Sequence, residues 1–552
     1  MKVSNPLNFR APRAHSQRNA FDMSYHSYFT SPAGLILPNY VQDVQPGDYL
    51  KLDVSNFSRT MPVQTAAFCR MSENTDFYFV PYRLLWRWFD EFYVSIVQQQ
   101  TVLAPANISG SSVPNMLPSI VGSTFADLFS NYGDNVDIFG YKYGDFYVRL
   151  FDLLGYFSDK SKSTFSSLGT FLATIGGFAD SKFNPFRLLA YQRLWNDFYR
   201  NSDWTKPDVM SFNIDNLGSG GDISDDLLEP ICKPRYKQWS KDYFTSVKPS
   251  TIYDAGSSIN NFLGSKPFFA QSSRAGTASA TSSFVDVPVT GTGENSIAAI
   301  DADSMRNMFA YDKLGRISML APKTYKAQLE AHFGVQPDNC NYCSCKYLGS
   351  FNSDLNIGEI TATSSGTDGS NTSVLGEIAG KGISSSSLNR PISAEFNEPG
   401  IVMGMHYFIP QAEYDSQRID EFNVKLLRSD YYQQEFDSLG LQPLYGRNIQ
   451  MDTLNLNRSQ GWQSRYMEYK TRIDEVHGEF QSKRSLAKWA IPRDVVLAQL
   501  GSSNDLYINP SVVNSIFGVN FNGSSITDEF LCHYSYNATL VRNMSVNGIP
   551  SL

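Results

Sequence analysis

The stretch FLCHYSYNATLV, residues 530–541, decides the fold class, because nearly every second residue along it is apolar or aromatic. His533, Ser535, Asn537 and Thr539 occupy the alternate positions. A period of two is typical of a strand with one buried and one solvated face, as is common in antiparallel sheets. We predict that the following residues face a core: Phe530, Cys532, Tyr534, Tyr536, Ala538 and Leu540.

Strand patterns also occur far from this stretch. PGDYLKLDVSNF (46–57) alternates after a Pro-Gly turn, and DFYFVP (76–81) is dense enough in aromatic residues to be covered on both faces. In IVMGMHYFI (401–409) the odd-numbered residues share one face. Strands near both ends, with helices and long loops between them, predict one antiparallel sandwich or jelly roll that carries large insertions.

Two segments have helical spacing instead. In YRLLWRWFDEFYVSI (82–96) apolar residues recur every three or four positions. In NPFRLLAYQRLWNDFYR (184–200), Asn184 suits the N-cap and Pro185 suits the first helical position. The buried face of the second helix is predicted to comprise Phe186, Ala190, Leu194 and Phe198.

Residues 352–389 contain no aromatic residue and are dominated by Ser, Thr, Gly and Asn. This composition buries too little apolar surface to form a core of its own, so we predict an exposed loop on the exterior of any assembly. The predicted insertions cover roughly residues 100–180 and 205–390 of a single domain that spans residues 21–552.

The bulk composition excludes several classes of protein. Only 18% of the 552 residues are charged, which favours a surface that meets other protein, and the net charge of −8 argues against a nucleic-acid-binding surface over the whole molecule. No run of about 18 apolar residues occurs, so no membrane insertion is expected. The start lacks the apolar segment of a signal peptide and six cysteines do not make a disulfide scaffold, so folding in a reducing cytoplasm is expected.

The first twenty residues are predicted to form a basic arm. Lys2, Arg10, Arg13 and Arg18 precede the first acidic residue, Asp22. A flexible arm with this charge suits non-specific contact with phosphate groups. A frayed terminus whose charges are incidental, and which binds neighbouring protein through its backbone, is the alternative.

The sequence CNYCSC (340–345), with His332 upstream, raises the question of a metal site. Structural zinc often uses two Cys-x-x-Cys-like pairs, but here no second pair follows and Cys345 crowds the first. We therefore predict free thiols, no metal and no cofactor at this place.

The sequence contains no phosphate-binding loop, dinucleotide-binding turn or common hydrolase motif. His477 and Glu479, in HGEF, are a weak candidate for an acid/base pair. We predict no catalytic residues and no enzyme. A jelly-roll carbohydrate-binding protein or glycosidase stays open as the alternative, because catalytic carboxylates usually come from distant segments.

Several stretches, in this order, resemble the major capsid proteins of the Microviridae, the small icosahedral single-stranded DNA phages. The resemblance is strongest to their gokushovirus-like and Bacteroidetes-associated branches. The first stretch covers residues 21–86 and begins FDMSYHSYFTSPAG. The others are FRLLAYQRLWNDFYRNSDW, KDYFTSVKPS, AHFGVQPDNCNYCSCKYLGSF, DYYQQEFDSLGLQPL, RYMEYKTRIDEVHGEF and the ending MSVNGIPSL.

This resemblance implies a single eight-stranded jelly roll with long insertions, which self-assembles into a T=1 icosahedral shell around circular single-stranded DNA and has no enzymatic activity. It implies that one insertion builds protrusions at the threefold axes. The expected partners are other copies of the chain, other virion proteins including a small basic DNA-binding protein, the genome and a host surface receptor. The expected location is the virion, assembled in the bacterial cytoplasm. Within the shell, Lys2, Arg10, Arg13 and Arg18 are expected to contact the genome or a seam between subunits.

Overall fold

The fold was analysed in a computed structural model. It describes residues 18–65, 67–94, 117–157, 180–218, 221–252, 302–335, 344–361, 366–368, 371–373, 378–415, 418–449, 456–493, 506–517, 528–544 and 546.

Within the described residues, ten antiparallel strands form one large curled sheet. The bounds of these strands are β1 (Asn19–Asp22), β2 (Tyr25–Ser31), β3 (Leu37–Val44), β4 (Tyr49–Thr60), β5 (Met71–Pro81), β6 (Lys346–Thr361), β7 (Ile378–Ser387), β8 (Ile392–Glu395), β9 (Gly400–Pro410) and β10 (Phe530–Arg542). The alternation predicted for β10 is confirmed, since all six residues expected to face a core are buried.

The strand order across the sheet is β1-β10-β4-β7-β6-β5-β9-β3. β2 follows β1 along the same side of β10, and β8 follows β7 along the same side of β4. The ten strands therefore fill eight positions. This mainly β, antiparallel architecture agrees with the predicted jelly roll with helical insertions.

Two hydrophobic cores lie on opposite faces of the sheet. The first core is formed by the inward residues of β4, β5, β6, β9 and β10, including Leu52, Phe351 and Tyr534. The second core lies on the other face of β5 and β9, where helices cover Tyr78 and Met403. Because both faces of β9 are covered, almost every residue along it is buried.

The helices lie in the insertions between the strands. Their bounds are α1 (Phe89–Val94), α2 (Gly122–Tyr132), α3 (Tyr143–Leu154), α4 (Phe186–Leu194), α5 (Val209–Phe212), α6 (Asp225–Cys232), α7 (Ala302–Leu320), α8 (Tyr325–Phe333) and α9 (Met467–Lys470). Short 3₁₀ helices cover Tyr82–Leu84, Glu421–Val424, Arg428–Asp430, Gln434–Leu439, Gly446–Asn448, Gly478–Phe480, Ala487–Trp489 and Pro510–Val513. None of the helices in these described segments is long and apolar enough to cross a membrane.

The helix predicted from Asn184 is present, but its last turn differs from the prediction. The side chain of Asn184 accepts a hydrogen bond from the amide of Phe186 at 2.9 Å, as an N-cap does. After Leu194 the chain continues as a π-helix, Trp195–Tyr199. The wider turn breaks the register of the helical stripe, so Phe198 is 40% exposed instead of buried.

The prediction of an exposed loop at residues 352–389 was wrong, because much of this segment forms β6 and β7 in the middle of the sheet. Its small residues permit close packing. A Cβ added at Gly380 would lie 2.5 Å from the carbonyl oxygen of Thr65, and one added at Gly382 would lie 2.5 Å from Cγ2 of Thr60. The insertion predicted to reach residue 390 therefore ends before β6, at about residue 345.

The described residues also form smaller sheets that are separate from the large one. The two-stranded sheet of Leu441–Tyr445 and Ser459–Ser464 lies in the C-terminal third of the chain. The short strands Glu413–Asp415, Glu475–Val476 and Pro492–Arg493 form a parallel sheet, and Lys182–Phe183, Pro118–Val121 and Gly221–Asp222 form another small sheet. Residues 366–368 and 371–373 pair as a hairpin between β6 and β7. A third, smaller core among the described residues includes Phe244, Tyr414 and Leu444.

Candidate functional site

The structure describes one of the four predicted arm residues. Lys2, Arg10 and Arg13 lie outside the described residues, so their positions stay a prediction. Arg18 directly precedes β1, and its Nη2 donates a hydrogen bond to the carbonyl oxygen of Gly47 at 3.2 Å. Asn19 and Ala20, predicted to belong to the arm, already pair with β10. Arg18 therefore lies at one edge of the large sheet, beside the turn between β3 and β4.

A cluster of metal-ligand residue types lies inside the first core. Glu73 on β5, His406 on β9 and Cys532 on β10 each place one ligand atom within 4.8 Å of the others. All three side chains are buried. Nε2 of His406 lies 3.8 Å from Sγ of Cys532. The hydroxyl of Tyr534 donates to Oε1 of Glu73 at 2.8 Å and lies 3.3 Å from Nδ1 of His406.

Glu73 is held by hydrogen bonds from two sides. Asn56 donates to its Oε2 at 2.7 Å, and Ser58 donates to its Oε1 at 2.8 Å, beside the bond from Tyr534. Burial raises the pKa of Glu73, while these donors and Ser384 lower it, and burial is the larger effect. Glu73 is thus a buried acid whose oxygens are fully used by the surrounding strands.

Burial also keeps the other two members of the cluster neutral. It lowers the pKa of His406 to about 3 and raises the pKa of the Cys532 thiol well above its ordinary value. A metal would need the thiolate and a free carboxylate oxygen, whereas the thiol is protonated and the carboxyl group is already hydrogen-bonded. Since no substrate reaches fully buried groups, the cluster suits a polar core that fixes strand register. The prediction that no metal binds stays a prediction.

The structure describes only part of the Cys-rich stretch that was singled out from the sequence. Cys345 is a buried free thiol, while Cys340 and Cys343 lie outside the described residues. His332 contacts the hydroxyl of Ser318 at 2.9 Å, within the α7–α8 pair.

The suspected acid/base pair of the HGEF motif is not formed. Nε2 of His477 lies 3.4 Å from a carboxylate oxygen of Glu475, and Glu479 instead accepts a hydrogen bond from Ser485. His477 is largely exposed. Such a pair is ordinary for a protein surface.

An exposed aromatic row crosses the solvent face of the large sheet. Tyr28 is 75% exposed, and its ring stacks on His533 with centroids 4.5 Å apart and planes 5° apart. His26 lies 3.3 Å from His533. On the adjacent strand β4, Phe57 is 39% exposed. The guanidinium of Arg59 lies 4.8 Å over the ring of Phe57. Flat rings beside a cation form a surface on which nucleobases can stack.

The chain is similar to known proteins over most of its length. A model of the capsid protein (F protein) family matches residues 10–135 and 160–552. The chain is 22% identical to capsid protein VP1 of Chlamydia phage 1, over 98% of this chain and 96% of that protein. It is also 22% identical to capsid protein VP1 of Bdellovibrio phage phiMH2K, over the same shares. The similarity thus covers nearly the whole chain and not one motif.

Proposed function

We propose, from the premise that the chain belongs to the capsid protein (F protein) family and is a structural capsid subunit, that its copies form a T=1 icosahedral shell around circular single-stranded DNA. The observation that carries the proposal is the family match over residues 10–135 and 160–552. As a member of this family the chain self-assembles and resides in the virion. The symmetry, the type of genome and assembly in the bacterial cytoplasm are the proposed parts.

The distribution of apolar side chains supports assembly. Large apolar residues are more than 55% exposed at several places on the described surface, and where such residues lie together they can supply contacts between subunits. These residues are Tyr28, Phe68, Tyr93, Val136, Phe309, Tyr325, Phe333, Val335, Leu426, Leu427, Leu439 and Val546. A subunit that contacts neighbours on several sides has this kind of surface.

Electron microscopy of the purified protein tests the proposal. Closed shells of uniform size with T=1 symmetry are expected, and purified particles are expected to contain circular DNA that single-strand nucleases digest after disruption. A protein that stays a 61.9 kDa monomer under all native conditions would contradict assembly. Particles that contain double-stranded DNA would contradict the proposed genome.

We propose further that the subunit has no enzymatic activity. The Glu73–His406–Cys532 cluster has shifted pKa values, as catalytic groups often have, but it is buried in the first core. The proposed partners are other copies of the chain, other virion proteins including a small basic DNA-binding protein, the DNA and a host surface receptor. Purified particles that hydrolyse polysaccharide, with the activity lost after a core-cluster substitution, would contradict the structural role.

The basic arm is expected to contact the genome or a seam between subunits. Replacing Lys2, Arg10, Arg13 and Arg18 with Gln should lower the DNA content per particle and weaken the salt dependence of particle stability. The reason is that each phosphate contact releases counterions, so fewer cations give a smaller dependence on salt. DNA per particle is measured from the absorbance ratio at 260 and 280 nm, and stability from thermal melting at several salt concentrations.

A matched variant separates this role from net charge. Replacing the exposed residues Arg428, Arg472, Lys483 and Lys488 with Gln removes an equal number of positive charges from another part of the surface. This control is expected to package DNA normally. Normal packaging by the arm variant as well would show that the arm charges are incidental.

A further inference from the structure

The helix pair α7–α8 is only partly covered by the described residues of the chain. No described residue of α8 is buried, although α8 has only nine residues. A helix this short is marginal in water unless it packs against something. The pair and Val335, two residues beyond its end, expose seven large apolar side chains: Phe309 (59%), Tyr311 (55%), Leu314 (50%), Leu320 (53%), Tyr325 (63%), Phe333 (75%) and Val335 (63%).

The pair is nevertheless built with defined ends and internal bonds. The hydroxyl of Thr324 caps α8 by accepting from the amide of Ala327 at 3.4 Å. Gly334, with φ +68°, closes α8 with a bond to the carbonyl oxygen of Glu330 at 2.8 Å. Nε2 of Gln328 donates to the carbonyl oxygen of Ser318 at 3.0 Å, which ties α8 to α7. These bonds specify a local structure that keeps large apolar side chains such as Phe309, Phe333 and Val335 mostly exposed.

The body holds the pair mainly near the turn between the two helices. The amide of Lys323 donates to Oγ of Ser202 at 3.0 Å, and Met319 and Ala321 beside it are buried. Nη1 of Arg316 donates to the carbonyl oxygen of Leu439 at 3.1 Å. Phe333 and Val335 lie at the opposite end of α8 from this attachment. Phe333, the most exposed apolar residue of the pair, therefore lies away from the attachment.

We propose that the α7–α8 pair docks against a second copy of this chain and so forms a subunit contact of the shell. This inference rests on the proposed function, which supplies other copies as the neighbours. The exposed apolar side chains represent on the order of 900 Å², close to the roughly 800 Å² that each partner buries in a standard interface. Leu439, 56% exposed beside Arg316, extends the same surface.

The chemistry of the pair favours protein over nucleic acid as the occupant. Its exposed surface is dominated by apolar rings and aliphatic side chains, and a cation of α7 is already paired, with Nε of Arg316 lying 2.7 Å from a carboxylate oxygen of Asp312. Leu314 lies about 140° around α7 from Phe309, at 100° per residue. Apolar residues on more than one side suit insertion into a groove of the second copy better than contact with a flat surface.

The double variant Phe333→Ser with Val335→Ser tests this contact. Because both side chains are mostly exposed in the single chain, the unassembled variant should keep the thermal midpoint of the wild-type subunit. Shell formation, followed by sedimentation velocity across a concentration series, should need at least a tenfold higher protein concentration. The control Val209→Ser with Met210→Ser removes two other side chains that are about half exposed, and it should assemble as the wild type does.

A second measurement does not depend on an assembly defect. In a Phe333→Cys variant, the thiol is expected to react with a maleimide at least ten times more slowly in shells than in unassembled subunits, as read by mass spectrometry of the peptide. Equal reactivity in both forms, or wild-type assembly of the Phe333/Val335 variant, would overturn the inference and leave the shell itself standing. Normal assembly with loss of infection would place a host partner here, and would also overturn it. Failure of the wild-type chain to form shells would instead contradict the proposed function.

Discussion

At pH 9 the variant Glu529→Gln is expected to unfold at a clearly higher urea concentration than the wild-type subunit, and at pH 5 most of this difference should vanish. Glu529 directly precedes β10 and is only 1% exposed. Among the described residues, neither of its carboxyl oxygens has a hydrogen-bond partner. Burial raises the pKa of Glu529 to about 8, and the neighbouring charge of Asp528 acts in the same direction. The nearby backbone amides of Glu529 and Ala33 and the charge of Arg149 offset only part of this rise.

The direction of the pH effect follows from proton binding. Because the pKa of Glu529 is higher in the folded chain than its ordinary value of 4.5, the folded state binds the proton more tightly. The resulting stabilisation is complete below pH 4.5 and is lost as the pH rises through about 8. The difference between the ordinary and the folded-state pKa of Glu529 corresponds to at most about 5 kcal/mol of unfolding free energy. Glutamine has nearly the same shape and cannot ionise, so the variant avoids this loss.

Urea unfolding of the unassembled subunit at pH 5, 7 and 9 measures the effect. Glu359→Gln, at an exposed position of β6, provides the control and should follow the wild type at every pH. An unchanged difference between Glu529→Gln and wild type across this pH range would show that the carboxyl group does not titrate as described.

The parts of the fold that the sequence predicts well are those in which one face of a strand is apolar. Along β10 the alternation of apolar and polar residues from Phe530 to Leu540 is visible in the sequence, and the pattern of burial follows it residue by residue. Residues 352–389 lack that signal because Ser353 and Ser384 face the core and hydrogen-bond each other at 2.7 Å. Small polar residues in a close-packed strand have the same composition as a solvated loop, so composition alone leads to the wrong prediction.

The buried Glu73–His406–Cys532 cluster could not be predicted from the sequence either, for a different reason. Glu73, His406 and Cys532 come from three distant strands, so no spacing in the sequence connects them. One local signal was present, since Glu73 occupies a position between Met71 and Thr75 where alternation predicts an inward side chain. An acid at an inward position needs partners, and the pairing of strands far apart in sequence supplies them.

Replacing Glu73 with Ala is expected to lower the unfolding free energy of the subunit by about 4 kcal/mol. The carboxyl group accepts hydrogen bonds from Asn56, Ser58 and Tyr534 inside the first core. Without it, these donors stay buried with their main acceptor gone, and a cavity forms where the side chain was. Urea unfolding of the unassembled subunit measures the loss, and the yield of shells should fall with it. Glu359→Ala, at an exposed position of β6, should change the unfolding free energy by less than about 0.5 kcal/mol.

A double-mutant cycle with Tyr534→Phe shows whether the hydrogen bond itself is responsible. In the wild-type background, Tyr534→Phe removes a donor that Glu73 uses and leaves the carboxyl group with fewer partners, so it should destabilise the subunit. In the Glu73→Ala background the hydroxyl has already lost that acceptor, so the same change should cost about 1–2 kcal/mol less. A cost that is equal in both backgrounds would mean that the two residues act independently. The strand register would then depend on the apolar packing of Tyr534 and not on the buried polar cluster.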